Sequence, residues 1–138
     1  MHEKVVLITG ASRGIGEAAA HAFAQRGAKI VLAARSLEKI EQIALDLGEN
    51  AIAVACDVAD YADIERAISR AIDAFGRLDV FIGNAGVIEP MAPLAEADPE
   101  AFGKTIDINT KGIFHGMRAA IPVMINQGGG TILPISSG

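Results

Sequence analysis

Short apolar runs alternate along this chain with stretches whose apolar positions recur every three or four residues. The runs are Val5 to Ile8, Ile30 to Ala34, Ala51 to Cys56, Val80 to Ile82 and Thr131 to Ile135. Each is short and bounded by turn-forming residues, which predicts five buried strands. An Ala-rich stretch follows the first run and ends at Gly27. Leu37, Ile40, Ile43, Ala44 and Leu47 then keep helical spacing as far as Gly48, a residue suited to the turn that closes a helix. Ile64, Ile68, Ile72 and Phe75 mark one face of a third helix, with Gly76 just beyond it. Asp98-Pro99 is a good cap and first-turn pair for a long helix. Its buried side is expected to carry Phe102, Ile106, Ile113, Met117, Ile121 and Met124.

Strands separated by helices pair in parallel through right-handed crossovers. The fold class is therefore α/β, a doubly wound parallel sheet with helices on both faces. No repeat, low-complexity tract or linker interrupts the pattern, so residues 1–138 read as one domain. Two prolines sit awkwardly. Pro122 falls inside the long helix and is expected to kink it. Pro134 removes a ladder donor from the last strand, which suits an edge better than a sheet centre.

Composition narrows the partners. The 138 residues are 51% apolar and 21% charged, the balance of a folded globular protein. Twelve basic side chains against seventeen acidic ones leave a net charge of −5, which argues against nucleic acid or an anionic membrane as the main partner. Cys56 is the only cysteine, so no intrachain disulfide forms and a reducing, cytoplasmic setting is the expectation. The opening "MHEKVVLITG" is too short an apolar run for a signal peptide, and no stretch is long enough for a membrane span. His2, His21 and His115 are scattered, without metal-ligand spacing. Cys56, at a strand end, reads as a small buried hydrophobe rather than a nucleophile. Met91, Met117 and Met124 read as loop and core.

The most informative stretch joins the first strand to the first helix: "TGASRGIG", Thr9 to Gly16. Gly10, Gly14 and Gly16 permit a sharp turn and a close approach of ligand to backbone. The free N–H groups at the start of the helix then favour a phosphate. In that position the pattern points to a dinucleotide. Such folds, when they bind NAD, carry Asp or Glu about 20 residues on, accepting from the ribose 2′-hydroxyl. Here the second strand ends "LAARS", Leu32 to Ser36, with Arg35 and no acid. Arg35 and Arg13 together favour a 2′-phosphate and hence NADP, with NAD as the alternative. The missing acid also counts against a methyltransferase on the same fold.

These residues resemble the short-chain dehydrogenase/reductase family over the whole chain. "TGASRGIG" matches that family's T-G-x-x-x-G-x-G cofactor motif, which here takes in Ser12 and Ile15. "CDV" matches the acid after the third strand, "NAG" the signature after the fourth, and "DINTKG" the active-site asparagine of the long helix. The resemblance implies a Rossmann fold with strand order 3-2-1-4-5. It implies that Asp57 contacts the adenine amino group and Val58 lies beside the ring, although Asp57 could equally cap a turn. Asn84, Ala85 and Gly86 would place backbone near the cofactor. Asn109 would hold an active-site water chain, or else simply bond to nearby backbone.

In the family a serine after strand five bonds the substrate carbonyl or hydroxyl; Ser137 matches it, with Ser136 before it. A Tyr-x-x-x-Lys pair on the next helix follows, the tyrosine as general acid/base and the lysine lowering its pKa. Within this chain Tyr61 is the only tyrosine, the residue four on is Glu65, and no lysine follows Lys111. The expectation is the cofactor-binding part of an NADP-dependent oxidoreductase acting on a carbonyl or secondary alcohol, with the C-terminal part of the family fold missing and the 138 residues inactive alone. Alternatives are a non-enzymatic nucleotide-binding module and an assembly fragment without ligand. In the family the long helix, here Pro99 to Gln127, commonly forms oligomers, so a homo-oligomer (dimer or tetramer) is expected. The segment "VIEPMAPLAEADP" would line one side of the substrate pocket.

Overall fold

The computed structural model describes residues 2–137. Five parallel strands form one sheet: β1 (Val5–Thr9), β2 (Lys29–Ala34), β3 (Ala51–Ala55), β4 (Val80–Gly83) and β5 (Thr131–Pro134), in the order β3-β2-β1-β4-β5. This is the predicted doubly wound, Rossmann-like arrangement. The central strand β1 is buried on both faces, as a parallel sheet covered by helices requires.

Alternation along β1 divides the core. Val6 and Ile8 pack with Ile30, Leu32 and Ile40 under α1 (Gly14–Gln25) and α2 (Leu37–Leu47). Val5 and Leu7 pack with Val31, Ile64, Ile68 and Phe81 under α3 (Tyr61–Phe75). Helices on opposite faces thus draw on alternate residues of one strand. Gly76 and Asp98 end and start helices as expected, and Asp60 supplies a cap that the pattern did not single out. Asp60 caps α3 by accepting from the Ala62 N–H, and Gly76 ends it at φ 80°. Asp98 caps α4 (Pro99–Ile106) by accepting from the Glu100 and Ala101 N–H groups.

The long helix differs from expectation. Its α geometry breaks into a π-helical turn over Asp107–Lys111 before resuming as α5 (Gly112–Asn126), which holds Pro122 inside it. Its buried stripe is Gly112, Gly116, Ala120 and Met124. Of the apolar residues expected inside, Met124 is buried, Ile113 and Met117 are half-buried, and Phe102, Ile106 and Ile121 are exposed. The reason is steric. A Cβ on Gly116 would overlap the Phe81 ring, and one on Gly112 would sit 2.7 Å from Val58 Cγ2. Only small residues let this helix approach the sheet, and the larger apolar ones turn outward.

β5 pairs with β4 alone and lies at one edge of the sheet. Thr131 N–H donates to Asp79 O and Ile135 N–H to Gly83 O. Pro134 therefore falls on the alternate position, whose nitrogen points away from β4, and costs the ladder nothing. At the opposite end of β4, Asp79 is buried and accepts from the Val5 N–H at 2.9 Å and from the Arg77 guanidinium. That carboxylate ties the start of β1 to the start of β4.

Candidate functional site

The carboxyl ends of β1, β2 and β4 open into a cleft of about 630 Å³, within the range of small-molecule sites. The glycine turn forms its floor. Gly10 and Gly14 have φ of +63° and +57°, conformations that side chains with a Cβ resist. A Cβ on Gly14 would meet no protein atom within 4 Å, so that glycine serves backbone conformation facing open space. Gly16 does something else. It is buried, does not line the cleft, and leaves room for a hydrogen bond: its Cβ would overlap the Gly10 carbonyl and lie 2.7 Å from Asn84 Nδ2. Those two groups bond each other at 3.2 Å.

No side chain caps α1, whose N-cap position is Arg13. Ala11 N–H donates to Ala33 O and Glu17 N–H to Arg13 O. The first-turn N–H groups of the helix lack intrahelical partners, and Gly14 and Ile15 at its start line the cleft, the arrangement that suits a pyrophosphate. Ser12, Arg13 and Ile15 line the same floor.

A second strut is Thr9, which is 2% exposed. Its hydroxyl accepts from the Asn84 N–H at 3.0 Å and the Ala85 N–H at 3.1 Å. Asn84, Ala85 and Gly86 all line the cleft, so this hydroxyl fixes one wall. Asn109 does not line it. From the π-helical turn it accepts from the Val87 N–H at 2.8 Å and donates to Val87 O at 2.7 Å, holding the loop after β4 in place. Pairing with backbone is therefore its observed contact.

At the β3 side, Asp57 and Val58 line the cleft. One Asp57 oxygen accepts from the Ala59 N–H at 3.0 Å, closing a turn, and its other oxygen makes no hydrogen bond among the described residues. The Asp57 N–H donates to Asp63, whose carboxyl is held below its ordinary value first by that bond and then by Arg66, against the cost of burial. Arg66 also donates to Ala55 O. Cys56 beside them is buried, and burial, with the Asp63 charge adding to it, pushes its thiol up to about 12, which disfavours the thiolate.

At the β2 end the cleft is cationic. Ala34, Arg35, Ser36 and Lys39 line it, and Arg13, in the glycine turn, lines the same cleft. Among the described residues none of these three cations pairs with a carboxylate, nor do Arg26, Arg70 and Arg118 outside the cleft, whereas Lys4, Lys29, Arg66, Arg77, Lys104 and Lys111 do. The fold thus gathers eleven of the expected cofactor residues into one cleft and gives Gly16 a supporting place. Ser137, past β5, is exposed and lies outside the cleft lining.

Sequence reasoning gave no role to Thr9, Asp63, Arg66 or Lys39. Thr9 is the first letter of the glycine motif, so a signal existed. Lys39 stands four residues after Arg35, in the first turn of α2. The histidines behave as expected of surface or satisfied positions: His115 Nδ1 lies 2.7 Å from Val58 O and its ring packs against Tyr61. Among the described residues no cluster of His, Cys, Asp and Glu could hold a metal, and no helix is long and apolar enough to cross a membrane.

The chain is similar to known proteins. An uncharacterised oxidoreductase of Listeria monocytogenes is 41% identical over 137 residues, covering 97% of this chain and 55% of that protein. A short chain dehydrogenase of Monascus ruber is 40% identical over 145 residues, covering 99% of this chain and 50% of its own length. Among solved structures, the 3-ketoacyl-(acyl-carrier-protein) reductase of Brucella melitensis complexed with NADH superposes with a TM-score of 0.93 at 34% identity, covering 99% of this chain and 58% of that one. The chain spans about half the length of the relatives it matches. The short chain dehydrogenase family model matches residues 4–138, and this chain belongs to that family.

Proposed function

We propose that residues 1–138 are the dinucleotide-binding domain of an NADP-dependent oxidoreductase that moves hydride between the nicotinamide and a carbonyl or secondary alcohol. The observation that carries the preference for NADP is the pair Arg13 and Arg35, which line the cleft without a carboxylate partner among the described residues, Arg35 standing after β2 where an NAD site places an acid. The cleft fits the group in other respects. The open space over Gly14 and the uncapped N-terminus of α1 suit the pyrophosphate, and the uncommitted Asp57 oxygen suits the adenine amine. When bound, the cofactor supplies the hydride; the chain's own residues bind and orient it. In this reading Asn84, Ala85 and Gly86 form the wall along which the nicotinamide end runs. Asn109 keeps that wall in register through Val87, and Ser137 orients the substrate oxygen.

These residues contain no Tyr-x-x-x-Lys pair, so on their own they bind nucleotide without turnover. The expected working form is a cytoplasmic homo-oligomer, a dimer or tetramer. Support comes from the outward apolar side chains of the long helix, among them Phe102, Phe114, Ile121 and Ile125.

Fluorescence titration with NADPH and NADH tests the reading. Wild type is expected to bind NADPH at least about tenfold more tightly, and Arg35→Asp to reverse the preference. Equal affinity for the two nucleotides, or no complex with either, overturns it.

A further inference from the structure

The start of α2 breaks two local rules at once. Ser36 is the N-cap residue, yet its hydroxyl bonds no backbone N–H of the helix. Three residues on, where a capping box places Glu or Gln to reach back to the cap, this chain has Lys39. A cation in the first turn of a helix also opposes the macrodipole. Both departures cost helix stability, and both residues line the cleft beside Arg35 and Ala34. The Lys39 ammonium has no carboxylate partner among the described residues; Glu38 and Glu41, one and two positions away on the helix, do not share its face. Local rules that fail together at a cleft mark a position shaped by a ligand rather than by the helix.

We propose that Lys39 is a specificity-determining residue for a phosphate monoester on the adenosine ribose, acting as a third cation with Arg13 and Arg35. A 2′-phosphate carries close to two negative charges and three acceptor oxygens. Arg13 stands in the glycine turn, while Arg35 and Lys39 stand together at the end of β2 and the start of α2. Lys39, reaching from the first turn of α2, adds a point charge with rotatable donors to the two planar forks, beside the Ser36 hydroxyl that caps no N–H of the helix. This rests on the NADP reading above and deepens it. The acid that a capping box would place at residue 39 would repel the same phosphate, so the capping preference and the ligand preference are in direct conflict at this residue.

The test compares 2′,5′-ADP with 5′-ADP by calorimetry on the full chain, as wild type and as Lys39→Met, Lys39→Glu, Lys39→Arg and Arg35→Met. Lys39→Met is expected to weaken 2′,5′-ADP about tenfold, the low end for a charged hydrogen bond at an exposed site, and to change 5′-ADP by less than about twofold. Lys39→Arg keeps the preference. Lys39→Glu weakens 2′,5′-ADP further while leaving the thermal midpoint equal to or above that of wild type, since it restores the capping box. A merely structural role would move stability and binding together. A Lys39→Met variant that shifts both ligands equally, or neither, overturns the proposal. If Arg35→Met abolishes the preference while Lys39→Met keeps it, the NADP reading stands and the role of Lys39 falls. If wild type shows no preference for 2′,5′-ADP, both fall.

Discussion

Replacing Thr9 by Val exchanges a hydroxyl for a methyl group of nearly equal size at a site that is 2% exposed. No cavity opens, so the change isolates the hydrogen bonds. The hydroxyl accepts from two backbone N–H groups, those of Asn84 at 3.0 Å and Ala85 at 3.1 Å, and its own bond to Ile82 O at 3.4 Å is too long to count for much. A buried donor left without a partner costs about 1–3 kcal/mol. Both donors here are partly buried, so the two together are expected to cost about 2–4 kcal/mol. Because Asn84 and Ala85 form a cleft wall, nucleotide affinity should fall several-fold as well. Thr9→Ser keeps the oxygen and loses one methyl, a cost of about 1 kcal/mol, and should keep nucleotide affinity. Urea unfolding followed by circular dichroism gives the first quantity and nucleotide titration the second. A Thr9→Val variant within about 0.5 kcal/mol of wild type, or a Thr9→Ser variant just as damaged, would show that this hydroxyl does not hold the wall.

Two further outcomes follow from the scaffold. Burial raises the Asp79 carboxyl, but the Arg77 hydrogen bonds, the Val5 N–H and the charges of Arg77 and Lys4 outweigh it and hold the group below its ordinary 3.8. A depressed folded-state value means stability that is present above the unfolded pKa and lost as pH falls through the folded one. Asp79→Asn should therefore cost about 1 kcal/mol near neutrality, discounted because Arg77 is half exposed. Unfolding measured over a series of pH values should show the gap to wild type closing below about pH 4; a gap constant down to pH 3 would refute the assignment. Glycine-to-alanine changes in the long helix should have opposite signs. Gly116→Ala drives a Cβ into the fully buried Phe81 ring and should destabilise by about 1–2 kcal/mol net of the gain in helix propensity. Gly103→Ala meets nothing within 4 Å and should stabilise by up to about 1 kcal/mol in the same melts. Equal shifts in the two variants would contradict the packing described for Gly116.

Strand positions, helix stops and the glycine turn were legible in the sequence because each depends on a few neighbouring residues. The boundaries moved by one residue or so: β1 extends to Thr9, β3 stops at Ala55 and β5 at Pro134. The buried face of the long helix was not legible. Hydropathy assigned its interior to Phe102, Ile106 and Ile121, whereas the distance between helix and sheet is set by Phe81 and Val58, residues far away in sequence. Small residues at Gly112, Gly116 and Ala120 were the available signal, an i,i+4 row easily passed over beside larger apolar side chains. The π-helical turn at Asp107–Lys111 was illegible for the same reason, since Asn109 reaches across to Val87 only once the loop after β4 is in place.

The same division runs through the cleft. Gly10, Gly14, Arg13 and Arg35 are read from local pattern, because each acts through its own backbone or its own charge. Thr9, Asp63 and Arg66 act through other residues: Thr9 through two N–H groups some seventy-five positions on, Asp63 through the Asp57 N–H, Arg66 through Ala55 O and Asp63. β1 and β4 are consequently pinned at both ends, by Asp79 and Val5 below and by Thr9 with Asn84 above. The lower pin sets register and the upper one carries that register into the cleft wall. A change at Asp79 should therefore lower stability without altering the ratio of NADPH to NADH affinity, whereas changes at Arg35 should alter the ratio with little effect on stability. A variant of Asp79 that changed the ratio at saturating folded protein would mean that the sheet does not isolate the cleft from its far edge, and the separation of scaffold from recognition drawn from these bonds would be wrong.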